Sequence, residues 1–246
     1  FALIALGGLA ALLLTRDDGG ATTPTSISGA PPSAPTPEVV ATVDVGASPQ
    51  FLDLTEDLAW GATGGPGAVA RVDQGANDVV ATVPTGNGAF GVAATADAVW
   101  VSNSGEGTVS HVDPSTDLVT GTVTLPALPS DLTATEDDVW VTGANNGTLT
   151  HIDARTDEII RTVSVGTNPN DVSLGAGSLW VVDPTDNAVF RLDPDSDRVE
   201  ETIDLRTGSR PNSVVATDDA VWVTGFGNAS LFRIDPATNE VAATIE

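Results

Sequence analysis

Cysteine, methionine, tyrosine and lysine are all missing from this chain of 246 residues. Without cysteine there can be no disulfide and no thiolate metal site. Without lysine, every strong cation is an arginine, and Lys+Arg number 9 against 34 Asp+Glu, for a formal net charge of −25. Gripping a nucleic-acid backbone requires clustered positive charge, so nucleic acid is not expected as a partner. Anionic lipid surfaces are disfavoured for the same reason, and the acidity reads as a solvated surface. No stretch after residue 38 places apolar residues at helical spacing over three turns, which excludes helical repeats.

What the chain does have is an internal repeat. Its five tryptophans are Trp60, Trp100, Trp140, Trp180 and Trp222, spaced 40, 40, 40 and 42 residues apart. Thirteen residues after each stands Asp73, Asp113, Asp153, Asp193 or Asp235, and twenty-two after each stands Thr82, Thr122, Thr162, Thr202 or Thr244. Runs such as AVWVS, TVSHVD and VVATV alternate small or polar with β-branched or apolar residues, the two-residue period of a strand. Four short strands in a unit of about 40 residues make a propeller blade. The fold class is therefore all-β, a β-propeller of four-stranded blades, with strands named a to d from the central channel outward. In the first unit these fall at 51–55, 58–62, 68–73 and 78–83, and in the fifth at 213–217, 220–224, 230–235 and 241–245.

Three regions are expected. Residues 1–14, FALIALGGLAALLL, carry no charged side chain. A span of bilayer needs about 20 apolar residues, so this reads as part of a transmembrane helix, the short N-terminal apolar helix of the fold. A signal-peptide core is the alternative, although no small-x-small cleavage site follows directly. Residues 15–38 are rich in Pro, Ser, Thr and Gly and read as a linker. Residues 39–246 are the propeller. Because 39–45 matches strand d of later units, the chain holds five whole blades plus one extra outer strand. Such a strand closes a ring only on a blade that lacks its own d, so a parent ring of seven blades, incomplete at the C-terminus, is expected.

Several residues that invite a chemical reading are repeat features. The tryptophans should fill the gaps between blades. Each Asp thirteen residues on should open the c–d turn and accept its backbone N–H groups, with Pro following in three units. The only histidines, His111 and His151, share a slot with Arg71, Arg191 and Arg233. A polar group there should span to the neighbouring blade. No residue is assigned to catalysis, to a metal or to a cofactor.

Binding is expected where the units differ, in the d–a and b–c loops at one face of the channel. The candidates at the start of strand a are Gln50, Phe90, Ser130, Asn170 and Asn212, with Asp131 and Asp171 following. The b–c loops add Asn103, Asn145, Asp183 and Phe226.

The unit, with its VW-V, G-T-V, D-P-x-T-D and V-G-x-x-P elements, resembles the YVTN-type β-propeller repeat family over residues 39–246. Virginiamycin B lyase looks like a relative with similar repeats. The resemblance implies a propeller. The lyase is a metal-assisted enzyme using a His and acidic residues on its propeller face, and no residue here is matched to that set. A membrane segment, a Pro/Thr linker and a propeller also look like the extracytoplasmic part of actinobacterial membrane proteins. The expected function is thus an extracytoplasmic binding module, for ligand sensing or protein–protein interaction, taking a small ligand, a cell-wall component or a protein. It would touch the membrane through its N-terminal helix only. A streptogramin-lyase-like enzyme and a structural cell-envelope protein are the alternatives.

Overall fold

The computed structural model describes residues 38–246; the expected helix at 1–14 and the linker up to residue 37 lie outside the described residues. Among the described residues no helix occurs and all regular structure is strand. Five antiparallel sheets of four strands follow one another along the chain, each in the order a-b-c-d. These blades cover 49–84, 89–124, 128–164, 171–204 and 211–245. No helix of the described residues is long and apolar enough to cross a membrane.

Residues 39–45 form no strand, which corrects the expectation of an extra outer strand. The reason lies in the sheet edges. Every c strand of the described blades already has its own d strand, including Ser230–Asp235, which pairs with Glu240–Ile245. No open c edge remains for residues 39–45 to complete.

Except in blade 4, the a strands begin earlier than expected. In blade 1, strand a is Pro49–Leu54, and its pairing with Leu58–Thr63 shifts register between Pro49 and Leu52. Similar irregularities lie near the start of strand a in blades 2, 3 and 5. A bulge leaves residues unpaired and re-aims their side chains. Gln50, Phe90, Ser130 and Asn212 lie inside these irregular starts, whereas Asn170 directly precedes the regular strand Asp171–Gly175.

The core is divided into four joints between successive blades. Each holds the Trp of one blade against apolar residues of the next: Trp60 with Val92, Val99 and Val112, and Trp180 with Val214, Val223 and Ile234. Trp100 and Trp140 do the same at the second and third joints. The a strands pack in sequence from blade 1 to blade 5, and no comparable packing joins blade 5 back to blade 1.

A polar clamp repeats beside each Trp. The residue paired across from it on strand c is Arg71, His111, His151, Arg191 or Arg233. Arg71 and Arg191 lie over Trp60 and Trp180, 5.7 and 5.3 Å from the ring centroids. His111 and His151 stack on Trp100 and Trp140 at 4.2 and 4.9 Å. Each then reaches the c–d turn of the next blade: Arg71 to Asp117, His111 to Asp157, His151 to Asp197 and Arg191 to Asn239, all at 2.9–3.0 Å. The receiving residues all adopt positive φ, 57°, 59°, 54° and 60° in that order. Asn and Asp tolerate this backbone region best among non-glycine residues. Arg and His interchange in the slot because both present a flat face to an indole and an N–H to an Asp or Asn side-chain oxygen.

Candidate functional site

Strand a of every blade lines the central channel. There a cavity of about 270 Å³ is bounded by Phe51, Asp53, Val92, Asp131, Asp171 and Val214 among others. Its walls hold no arginine or histidine.

Asp131 and Asp171 occupy the same repeat position in blades 3 and 4, line the same cavity and perturb each other's titration. Both are buried, at 6% and 3% exposure. The corresponding residue of blade 2 is Gly91, where a Cβ would collide with Asp131 Oδ1. A glycine there gives the carboxyl its room. The Asp171 carboxylate also accepts from Ser213 Oγ at 2.7 Å and Val214 N at 2.8 Å. Burial pushes Asp131 well above the usual carboxylate range, and the neighbouring negative Asp171 pushes it further. Burial raises Asp171 too, but the hydrogen bonds it accepts oppose that rise. Two close carboxyls in a low-dielectric site share a proton because both cannot easily ionise. Asp131 is the more strongly raised of the two.

Above the pair runs a polar rim. Ser130 Oγ donates to Asn170 Oδ1 at 3.3 Å, and Asn170 Nδ2 donates to the Asn212 carbonyl at 2.7 Å. Five of the expected residues, Ser130, Asp131, Asn170, Asp171 and Asn212, are therefore contiguous across blades 3 to 5. On the other side of the channel Phe90 packs on Phe51 with ring centroids 5.0 Å apart. Gln50 is exposed and donates to the Ser48 carbonyl.

The b–c residues fall elsewhere. Asn103 is fully buried; it accepts from Gly86 N and donates to Ser110 Oγ. Asp183 is also fully buried, with its carboxylate accepting from the backbone of Thr167, Asn168, Thr185 and Asp186. Both tie loops together. Asn145 holds a turn at φ 72°, and Phe226 is 76% exposed on its loop.

Sequence reasoning passed over Asp53, Ser213 and a set of hydroxyls two residues after the Trp. Ser102 accepts from Gly91 N and donates to the Ser130 carbonyl, so it bridges blades 2 and 3 at the channel. Thr142 likewise accepts from Asp131 N and donates to the Asn170 carbonyl. A hydroxyl at that offset in three units, Ser102, Thr142 and Thr224, was the available signal. Among the described residues no cluster of three or more His, Asp or Glu side chains is arranged to hold a metal ion.

Residues 75–195 match the family model of the YNCE-like beta-propeller. No curated protein matches the chain significantly. Among solved structures, a streptogramin B lyase is similar with a TM-score of 0.72 and 17% identity, over 82% of this chain and 70% of that one. Virginiamycin B lyase from Staphylococcus aureus follows at TM-score 0.67 and 16% identity, over 79% and 67%. Hydrazine synthase of Kuenenia stuttgartiensis gives 0.67 and 18%, over 80% and 58%. At these identities the likeness is one of fold.

Proposed function

We propose that this YNCE-like β-propeller is a binding module whose ligand seat is the channel. The carrying observation is the cavity itself, where Asp131, Asp171 and Ser213 converge among apolar side chains from all five blades. A largely apolar pocket with a few convergent polar groups is the usual form of a small-ligand site. The buried carboxyl pair, without any basic residue in the walls, disfavours anions and favours a neutral or cationic small ligand or protein segment. We further propose that residues 1–14 anchor the module and residues 15–38 tether it on the extracytoplasmic side of a membrane. That part rests on composition.

A thermal-shift screen of neutral, cationic and anionic small molecules, including cell-wall fragments, tests the seat. Neutral or cationic ligands should raise the midpoint for the native protein and lose most of that effect with Asp171→Asn or Ser213→Ala. Binding confined to anions, or binding indifferent to both substitutions, would overturn it.

The second reading is a lyase, supported by the fold likeness to streptogramin and virginiamycin B lyases. One solved relative is a catalytically inactive histidine-to-alanine variant of virginiamycin B lyase bound to quinupristin. Here both histidines sit on strand c, engaged in clamps between blades. Incubation with a streptogramin, with and without His111→Arg and His151→Arg, separates the readings. Turnover that either change abolishes would favour the enzyme.

A further inference from the structure

The turn between strands b and c of blade 3 holds an Asn-Gly pair, Asn146-Gly147, arranged so that one residue can attack the other. Asn146 is exposed, and its amide oxygen accepts from Thr148 Oγ1 at 2.8 Å. Room for both groups comes from Gly143, where a Cβ would collide with Thr148 Oγ1 and crowd Asn146 Oδ1. Asn103 and Asp183 hold that position in blades 2 and 4. Gly147 has φ 65°, and a Cβ on it would strike the Gly166 carbonyl. The fold therefore demands glycine after Asn146, and no side chain shields its nitrogen. Among the described residues the Gly147 N–H donates to no acceptor.

We propose that Asn146 is a self-modifying residue, deamidating through a succinimide closed by the Gly147 nitrogen. Solvent base removes the Gly147 amide proton, and the nitrogen attacks Asn146 Cγ. The new N–Cγ bond pushes the carbonyl electrons onto Oδ1, where the Thr148 hydroxyl already donates. A donor placed on the oxygen that gains charge stabilises the transition state. The Cγ–Nδ2 bond then breaks, and Nδ2 takes a proton and leaves as ammonia. Water opens the ring at Cγ to give aspartate, or at the main-chain carbonyl to give isoaspartate. Nothing is oxidised or reduced, and water is the only co-reactant.

The chain carries its own comparisons. Asn87-Gly88 is its other Asn-Gly pair. Among the described residues no hydroxyl donates to the Asn87 amide; the nearby Ser104 Oγ donates to the Gly88 carbonyl instead. Asn228 stands at the same offset from Trp222 as Asn146 from Trp140, but Ala229 follows it, and a Cβ hinders the attacking nitrogen. The reaction adds a negative charge to the loop face, and isoaspartate also lengthens the turn by one backbone atom. That turn is tied to the loop leading to Asn170, since Asn145 N donates to Asn168 Oδ1 at 2.9 Å. Modification should therefore loosen the channel rim at blade 4.

Incubation of the full folded chain in mildly alkaline water enriched in heavy oxygen tests this, with peptide mass mapping to locate the label. Asn146 should take up labelled oxygen faster than Asn87, and Asn228 should be slowest. Unfolding in urea should bring Asn146 and Asn87 to similar rates, because the turn and its hydroxyl contact are lost. Thr148→Val should slow Asn146 about fivefold, the factor that a single neutral hydrogen bond carries, and leave Asn87 unchanged. Thr148→Ser should restore the rate. Circular dichroism checks that each variant folds, and the comparison of folded with urea-unfolded chain stands without them. An Asn146 rate at or below that of Asn87 in the folded chain would overturn the proposal. So would a Thr148→Val variant that folds and reacts as fast as the native protein.

Discussion

Asp131 of blade 3 and Asp171 of blade 4 share one cavity, with both carboxyls buried in the channel wall. Burial and the negative neighbour raise Asp131 far above the ordinary carboxylate range, so the native state holds a proton that the unfolded chain releases near pH 4. Stability falls with pH wherever the native state binds more protons than the unfolded one. The pair's contribution should therefore be full below the unfolded pKa and fall as pH rises through the raised native value. Asp131→Asn supplies a permanent N–H donor to Asp171 and removes the titration. Urea unfolding across the pH range should show the variant gaining on the native protein as pH rises, by about 1–2 kcal/mol at the upper end. A variant less stable than the native protein at high pH would contradict the shared proton.

His151 shows a pH dependence of the same sign, at higher pH. Burial pulls its pKa down, but hydrogen bonds to Asp197 and Asp138 outweigh that and hold it above the usual imidazole value. The resulting stability is fully present below the unfolded pKa, near 6.5, and is lost as pH rises through the native value. His151→Gln should cost about 1.5–3 kcal/mol below pH 6, the scale of a hydrogen bond to a charged group. The deficit should shrink in alkaline solution. Equal deficits at both ends would mean that His151 acts only by filling space.

The blades and the clamps were readable because every unit repeats them. Trp, Asp and the Arg/His slot recur at fixed offsets, and packing between like blades demands the same shape each time. Even the partner of His151 could be expected on the neighbouring blade, though the receiver is Asp197 and not the turn-opening Asp193. The channel was less readable. Asp131 and Asp171 stood out as departures from the repeat, but the room for the Asp131 carboxyl depends on Gly91 in a different unit. Asn103 and Asp183 resembled them in sequence, yet their side chains turn into their own loops. The strand expected at 39–45 fitted the repeat and failed for want of a free edge, which is a property of the whole sheet.

Trp222 should be the most solvent-accessible of the five tryptophans, since the other four are 0–3% exposed. With no tyrosine in the chain, the emission is indole alone. Acrylamide should quench one fraction strongly, and Trp222→Phe should remove that fraction. Trp180→Ala should cost about 3–5 kcal/mol, the usual range for a buried Trp, and Trp222→Ala clearly less. Similar losses at the two positions would mean that the outer face of blade 5 is covered in solution.

Asp197 gathers more donors than any other turn residue of the ladder. Its carboxylate accepts from Trp140 Nε1 at 2.9 Å, His151 Nδ1 at 2.9 Å and Arg161 Nη1 at 2.8 Å, and the side chain is 1% exposed. Removing one partner of a buried charged network leaves the others desolvated and unpaired, at about 3–5 kcal/mol. Asp197→Ala should cost that much, plus about 1–2 kcal/mol for holding alanine at φ 54°. Asp197→Gly removes the same carboxylate without the backbone strain, so it should be the more stable of the two despite having no side chain. Asp197→Asn keeps an acceptor and tolerates the φ, and should lose least. Chemical denaturation of the three variants gives the order Asn, Gly, Ala from most to least stable. An alanine variant matching glycine would show that the turn relaxes out of its left-handed conformation once the clamp is cut.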